Sequence, residues 1–135
     1  MTRWLLDTDT CIYLIKRDPP QVLQRLEQCD PGDVWVSSIT VSEMEYGIAK
    51  SSRPEQARNA LEKFLASLGT LPYDDTAATA YGIIRADLER RGEPIGPLDM
   101  LIAGHALSLG ATLVTNNERE FRRVPSLAIE NWATA

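Results

Sequence analysis

Three carboxylates stand where the surrounding sequence gives them little reason to be. Asp7 ends the apolar run Trp4-Leu5-Leu6, Glu43 follows shortly after Val34-Trp35-Val36, and Asp99 leads into a segment, Pro97 to Leu109, that is apolar nearly all round. A further polar group, Thr115-Asn116-Asn117, comes directly after Thr112-Leu113-Val114. Carboxylates gathered within a few ångströms raise each other's pKa, and a divalent cation removes that cost. Carboxylate oxygens plus water suit Mg²⁺ or Mn²⁺. Zinc fits poorly, because Cys11 and Cys29 have no zinc-type spacing and His105 is the sole histidine. A hard cation held by such a group activates water and steadies charge developing on a phosphodiester.

Short apolar runs alternating with helical patterns supply the frame for these groups. Trp4-Leu5-Leu6, Val34-Trp35-Val36, Thr112-Leu113-Val114 and Leu127-Ala128-Ile129 read as strands. Between them, helices are expected over Thr10 to Arg17, from Pro19-Pro20 through Leu26, and over Thr40 to Lys50, Arg53 to Leu68, Asp75 to Arg91 and Pro97 to Leu109. Wholly apolar strands separated by helices indicate an α/β fold: a three-layer α/β/α sandwich around a mostly parallel sheet. Ligands in open parallel sheets bind at the carboxyl ends of the strands. Asp7, the Ser37 to Glu43 stretch and Thr115 to Asn117 would then meet at one edge, joined by Asp99.

Each residue also has a plain structural explanation. Asp7 is placed to cap the following helix, and Thr40-x-x-Glu43 has the spacing of a capping box. Asp99 would favour the positive end of its helix. Asp9 reads as a helix cap or as the rim of the site. His105 lies six residues from Asp99, on a different helix face, and reads as a packed histidine. Cys11 reads as core, and Trp35 and the Tyr81/Ile84/Leu88 stripe as packing.

The 135 residues suffice for one domain, expected over 1–135. Hydrophobic residues make up 44% and charged residues 24%, an ordinary globular balance that argues against disorder or a collagen-like chain. Two cysteines are too few for a disulfide scaffold and suit reduced thiols. A carboxylate at position 7 interrupts any signal-like run, and no stretch has membrane-spanning length. A cytoplasmic location is expected. Nineteen acidic residues against fourteen basic ones give a net charge of -5, which excludes a uniformly basic nucleic-acid binder.

Four segments together resemble the motifs of PIN-domain ribonucleases. They are Leu5-Leu6-Asp7-Thr8-Asp9, Ser38 to Gly47, Pro97 to Ala106 and Val114-Thr115-Asn116-Asn117-Glu118-Arg119-Glu120-Phe121. Their order and the total length resemble in particular the VapC toxins of type II toxin–antitoxin modules. The resemblance implies a Mg²⁺- or Mn²⁺-dependent endoribonuclease in which Asp7, Glu43 and Asp99 are the catalytic acidic set. Asp7 and Asp99 would bind the metal directly, Glu43 would bind it or position water, and Thr115 would hydrogen-bond nearby. The implied chemistry is in-line attack by water, leaving a 5′-phosphate and a 3′-hydroxyl. Many PIN domains carry aspartate where this chain has Asn117. The amide adds no charge, so one tightly held ion is expected rather than two. Glu120 is a candidate to act through a water.

The resemblance also implies partners: an RNA substrate, a VapB-type antitoxin covering the site, a homodimer, and promoter DNA reached only through the antitoxin. Eleven of the fourteen basic residues are arginine, a residue suited to phosphate and base stacking. Arg85, Arg90, Arg91, Arg119, Arg122 and Arg123 are candidates for local patches or plain solvated surface. Weak general affinity favours a structured RNA with an exposed loop, and tRNA anticodon regions fit that description. Two alternatives remain. One is a non-catalytic module of the same fold that binds RNA or an antitoxin. The other is a haloacid-dehalogenase-like phosphatase, whose Asp-x-Asp opening Asp7 and Asp9 match but whose next motif position is here Cys11.

Overall fold

The computed structural model describes residues 2–134. Met1 and Ala135, the two ends of the span expected as one domain, lie outside the described residues. The chain runs β1 (Trp4–Leu6), α1 (Thr8–Lys16), α2 (Pro20–Glu27), a 3-10 turn (Pro31–Asp33), β2 (Val34–Ser37), α3 (Ser38–Ala49), α4 (Pro54–Ser67), β3 (Gly69–Leu71), α5 (Asp75–Arg90), α6 (Pro97–Leu109), β4 (Thr112–Val114), α7 (Glu118–Phe121) and β5 (Ile129–Glu130). The sheet order is β3-β2-β1-β4-β5, and every neighbouring pair is parallel.

Helices cover both faces of this sheet, which is why its strands are apolar on both sides. Register aligns Leu5 with Trp35 and Leu113, and Leu6 with Val36 and Val114. The first row packs against Ile84, Leu88, Ile102, Ala103 and Ala106 of α5 and α6. The second packs against Cys11, Leu14 and Val22 of α1 and α2, with Phe64 and Leu65 of α4. The result is the expected three-layer α/β/α sandwich. Cys11 is wholly buried, and Ile84 and Leu88 belong to the core, as their apolar character suggested.

Local signals set the helix ends. Pro20, Pro54 and Pro97 stand at helix starts, where a missing N–H costs nothing. Asp74 caps α5 by accepting from Ala77 N–H at 3.0 Å. Gly110, at φ 63°, closes α6.

Several elements differ from the sequence reading, among them α1, which starts at Thr8 rather than Thr10, and α7, which it did not include. β3 was not foreseen, because Gly69-Thr70-Leu71 carries no apolar run. Its glycine exists for tertiary reasons: a Cβ there would lie 2.2 Å from the Trp35 ring on the adjacent strand. β5 lies at Ile129–Glu130, starting two residues later than the Leu127-Ala128-Ile129 run. α3 begins at Ser38, with Ser37 as its cap accepting from Ile39 N–H at 3.0 Å, and not at Thr40. Thr40 is therefore inside the helix and forms no capping box with Glu43. Its buried hydroxyl has no hydrogen-bond partner among the described residues.

Candidate active site

The sheet delivers its polar residues to one end. Asp7 follows β1 directly, Glu43 lies on the helix that leaves β2, and Asn117 follows β4. Asp99 comes from the first turn of α6. Together with Thr8, Asp9 and Ile102, these four line one cleft of about 130 Å³. No lysine or arginine lines it among the described residues.

Asp7 serves two ends at once. Its carboxylate caps α1, accepting from Thr10 N–H at 2.9 Å, and it remains on the cleft wall although only 8% exposed. The expected helix cap and the expected site residue are one group. Burial raises its pKa, against the lowering pull of hydrogen bonds from Thr115 and Thr10. Thr115 stands beside Asp7, and its Oγ1 accepts from Asn117 N–H at 2.9 Å. Asp9 sits exposed on the rim.

Glu43 is held by a residue the sequence reading missed. Thr8 Oγ1 donates to Glu43 Oε1 at 2.8 Å. Two α-helices must be packed side by side for this contact to exist, so spacing along the chain gave no signal for it.

Asp99 is strongly perturbed. Burial first, then a hydrogen bond and like charge from Glu120, then the charges of Asp7 and Glu43, raise its pKa to about 7. Glu120, on the short helix α7, therefore belongs beside the cluster. Asn117 Nδ2 donates to Glu120 Oε2 at 2.6 Å.

The donor set is oxygen throughout, and four carboxylates face the cleft without a cationic side chain. That is the chemistry of a hard divalent ion, and the residues present fit Mg²⁺ or Mn²⁺. Among the described residues no three Asp, Glu, His or Cys groups are drawn together tightly enough to form a ready-made cage. The fit therefore rests on donor chemistry and uncompensated charge.

His105 lies away from the cleft. It is 1% exposed, pairs through Nδ1 with Ser37 Oγ at 2.8 Å, and meets the Tyr73 ring edge-on. Burial lowers its pKa. Most of the candidate arginines are engaged by neighbours. Arg85 pairs with Glu89, Arg90 and Arg91 with Asp87, and Arg122 with Glu118. Arg123 donates to the Pro94 carbonyl, while Arg119 is exposed.

Residues 4–127 match the PIN domain family. The tRNA(fMet)-specific endonuclease VapC of Shigella flexneri is 45% identical over 133 residues, covering 98% of this chain and 100% of the relative. The chain belongs to the PIN domain family, in its VapC group. Its Salmonella typhimurium relative of the same name is 46% identical over 132 residues, covering 98% and 99% of the two chains. The fold agrees as closely. The DNA-bound VapBC structure from Salmonella typhimurium aligns with a TM-score of 0.92 at 45% identity, over 98% of this chain and 99% of that one. VapBC2 from Rickettsia felis, bound to a fragment of its promoter, aligns at 0.90 and 37%, over 97% and 99%. The VapC group displaces the phosphatase alternative. No described helix of this VapC-family chain is long and apolar enough to cross a membrane.

Proposed function

We propose that residues 1–135 act as a single-domain, divalent-metal-dependent endoribonuclease, the cytoplasmic toxin of a type II toxin–antitoxin pair, with tRNA as its favoured substrate. The observation that carries this reading is the meeting of Asp7, Glu43, Asp99 and Asn117 in one cleft at the carboxyl end of a parallel sheet. The relatives named as tRNA(fMet)-specific endonucleases support the substrate class.

Asp7, Asp99 and Glu43 would hold Mg²⁺ or Mn²⁺, with Thr115, Asn117 and Glu120 in support. Bound there, the ion supplies Lewis acidity for a water nucleophile and positive charge for the scissile phosphate. The remaining work belongs to the protein. Thr10 N–H and Thr115 fix the orientation of Asp7. Thr8 occupies one oxygen of Glu43 and leaves the other to accept from water. Ile102 gives the cleft an apolar wall.

The chain would form a homodimer, be silenced by a VapB-type antitoxin, and meet promoter DNA only through that antitoxin. An apolar groove of about 210 Å³ runs between α1, α3 and α4, lined by Ile12, Ile15, Met44, Ile48 and Leu61, with Thr8 and Glu43 also on its wall. An apolar antitoxin segment laid in it would end against the carboxylates. The solved VapBC relatives support such a pairing.

The test is incubation of the purified chain, freed of any partner, with total tRNA and Mg²⁺ or Mn²⁺. Cutting that EDTA and Asp99→Asn both abolish is expected. Intact tRNA with another RNA cut would remove the tRNA preference. No cutting of any RNA, with the fold intact, would favour the non-catalytic module.

A further inference from the structure

Asn117 and Glu120 make one of the tightest side-chain contacts near the cleft. The amide nitrogen Nδ2 donates to Glu120 Oε2 at 2.6 Å, while the Asn117 main-chain N–H is already bound to Thr115 Oγ1 at 2.9 Å. Asn117 lines the cleft, and Glu120 is within hydrogen-bonding reach of Asp99. An amide can donate to a carboxylate, whereas an aspartate at 117 would offer it only oxygens. An amide at 117 therefore suits a carboxylate at 120, and a second carboxylate at 117 would repel it.

We propose that Asn117 is a positioning residue that acts through Glu120: its amide pins the Glu120 carboxylate beside Asp99, so that the negative charge absent at position 117 is supplied from position 120, one turn further along. The inference rests on the metal-site reading above and specifies how the Glu120 carboxylate is placed beside that site. The two positions form an exchangeable pair, one donor and one carboxylate, and their identities are coupled.

The experiment is calorimetric titration of the full-length chain with Mn²⁺ alone, with melting temperatures recorded for every variant. Asn117→Asp sets two carboxylates against each other and is expected to weaken Mn²⁺ binding on the order of tenfold, as loss of an outer hydrogen bond at a metal site commonly does. Asn117→Ala is expected to weaken it in the same direction, and serves if the aspartate variant folds poorly. The combination Asn117→Asp with Glu120→Gln rebuilds the pair in reverse, the glutamine amide donating to the aspartate. It is expected to bind Mn²⁺ better than either single variant. In a Glu120→Ala background, Asn117→Ala is expected to change affinity by less than about twofold, because its partner is gone. Asn117→Asp binding as tightly as the unaltered chain, or more tightly, would overturn the proposal and make residue 117 a ligand in its own right. Effects of Asn117→Ala and Glu120→Ala that simply multiply would overturn it too. An unaltered, folded chain that binds no Mn²⁺ would instead bring down the metal reading beneath, and this inference with it.

Discussion

The hydroxyl of Thr8 donates to Oε1 of Glu43 across 2.8 Å, joining the first turn of α1 to the middle of α3. Thr8 is first in α1 because Asp7 caps that helix, so the residue that forms one wall of the cleft also places the residue that orients another. Replacing Thr8 with valine keeps the shape and removes the donor. RNA cleavage by Thr8→Val is expected to fall about tenfold in kcat with little change in KM. Thr8→Ser, which keeps the hydroxyl, should retain most of the activity. Steady-state kinetics on a cleaved RNA, with melting curves for both variants, checks this.

Crowded carboxylates without a counter-charge oppose folding while serving function. Asp99→Asn removes the charge closest to Glu120, Asp7 and Glu43 in effect. At pH 8 and in EDTA the variant is expected to melt higher than the unaltered chain, by a few degrees. Cleavage should be lost. In the unaltered chain Mg²⁺ or Mn²⁺ should raise the melting temperature, because a ligand that binds only the folded state stabilises it, and in Asp99→Asn that rise should shrink. A thermal shift series with and without metal reads all of these.

His105 predicts a pH dependence away from the cleft. Burial holds its folded-state pKa below the ordinary value of 6.5, so the unfolded chain takes up the proton first as pH falls. Its contribution to stability is complete above about pH 6.5 and declines as pH drops below that value. His105→Gln keeps a partner for Ser37 Oγ but cannot ionise. Between pH 6.5 and 5 the slope of unfolding free energy against pH should be shallower in the variant, by at most about 1.4 kcal/mol per pH unit. Urea unfolding at several pH values measures the difference.

Close approach of α5 and α6 depends on Gly104. A Cβ at that position would lie 2.9 Å from the Cα and N of Tyr81, main-chain atoms that cannot rotate away. Gly104→Val should force the helices apart and destabilise the fold by about 2 kcal/mol or more. Since α6 carries Asp99, cleavage should fall as well. Denaturant midpoints and activity on one preparation test both.

Much of this protein is readable along the chain. Short apolar runs, such as Leu5-Leu6 after Trp4 or Leu113-Val114 after Thr112, mark strands buried on both faces, because covered strands lack alternation. Pro20 and Pro97 at helix starts act locally and were legible for the same reason. That Asp7, Glu43 and Asn117 share one edge followed from strand ends in a parallel sheet, whereas the meeting of Asp99 with them depends on where α6 packs. What the chain could not disclose are choices made by packing. Thr40-x-x-Glu43 has the spacing of a capping box, but Ser37 takes the cap, and Glu43 turns instead to Thr8 on another helix. Gly69 stands in a strand because the Trp35 ring fills the space of its side chain. Asn117 looks like a lost charge until its amide is seen holding Glu120 beside Asp99. Local signals act over a turn or two of chain and are written in sequence spacing. These contacts join groups on different elements, and only the folded arrangement decides which side chains meet.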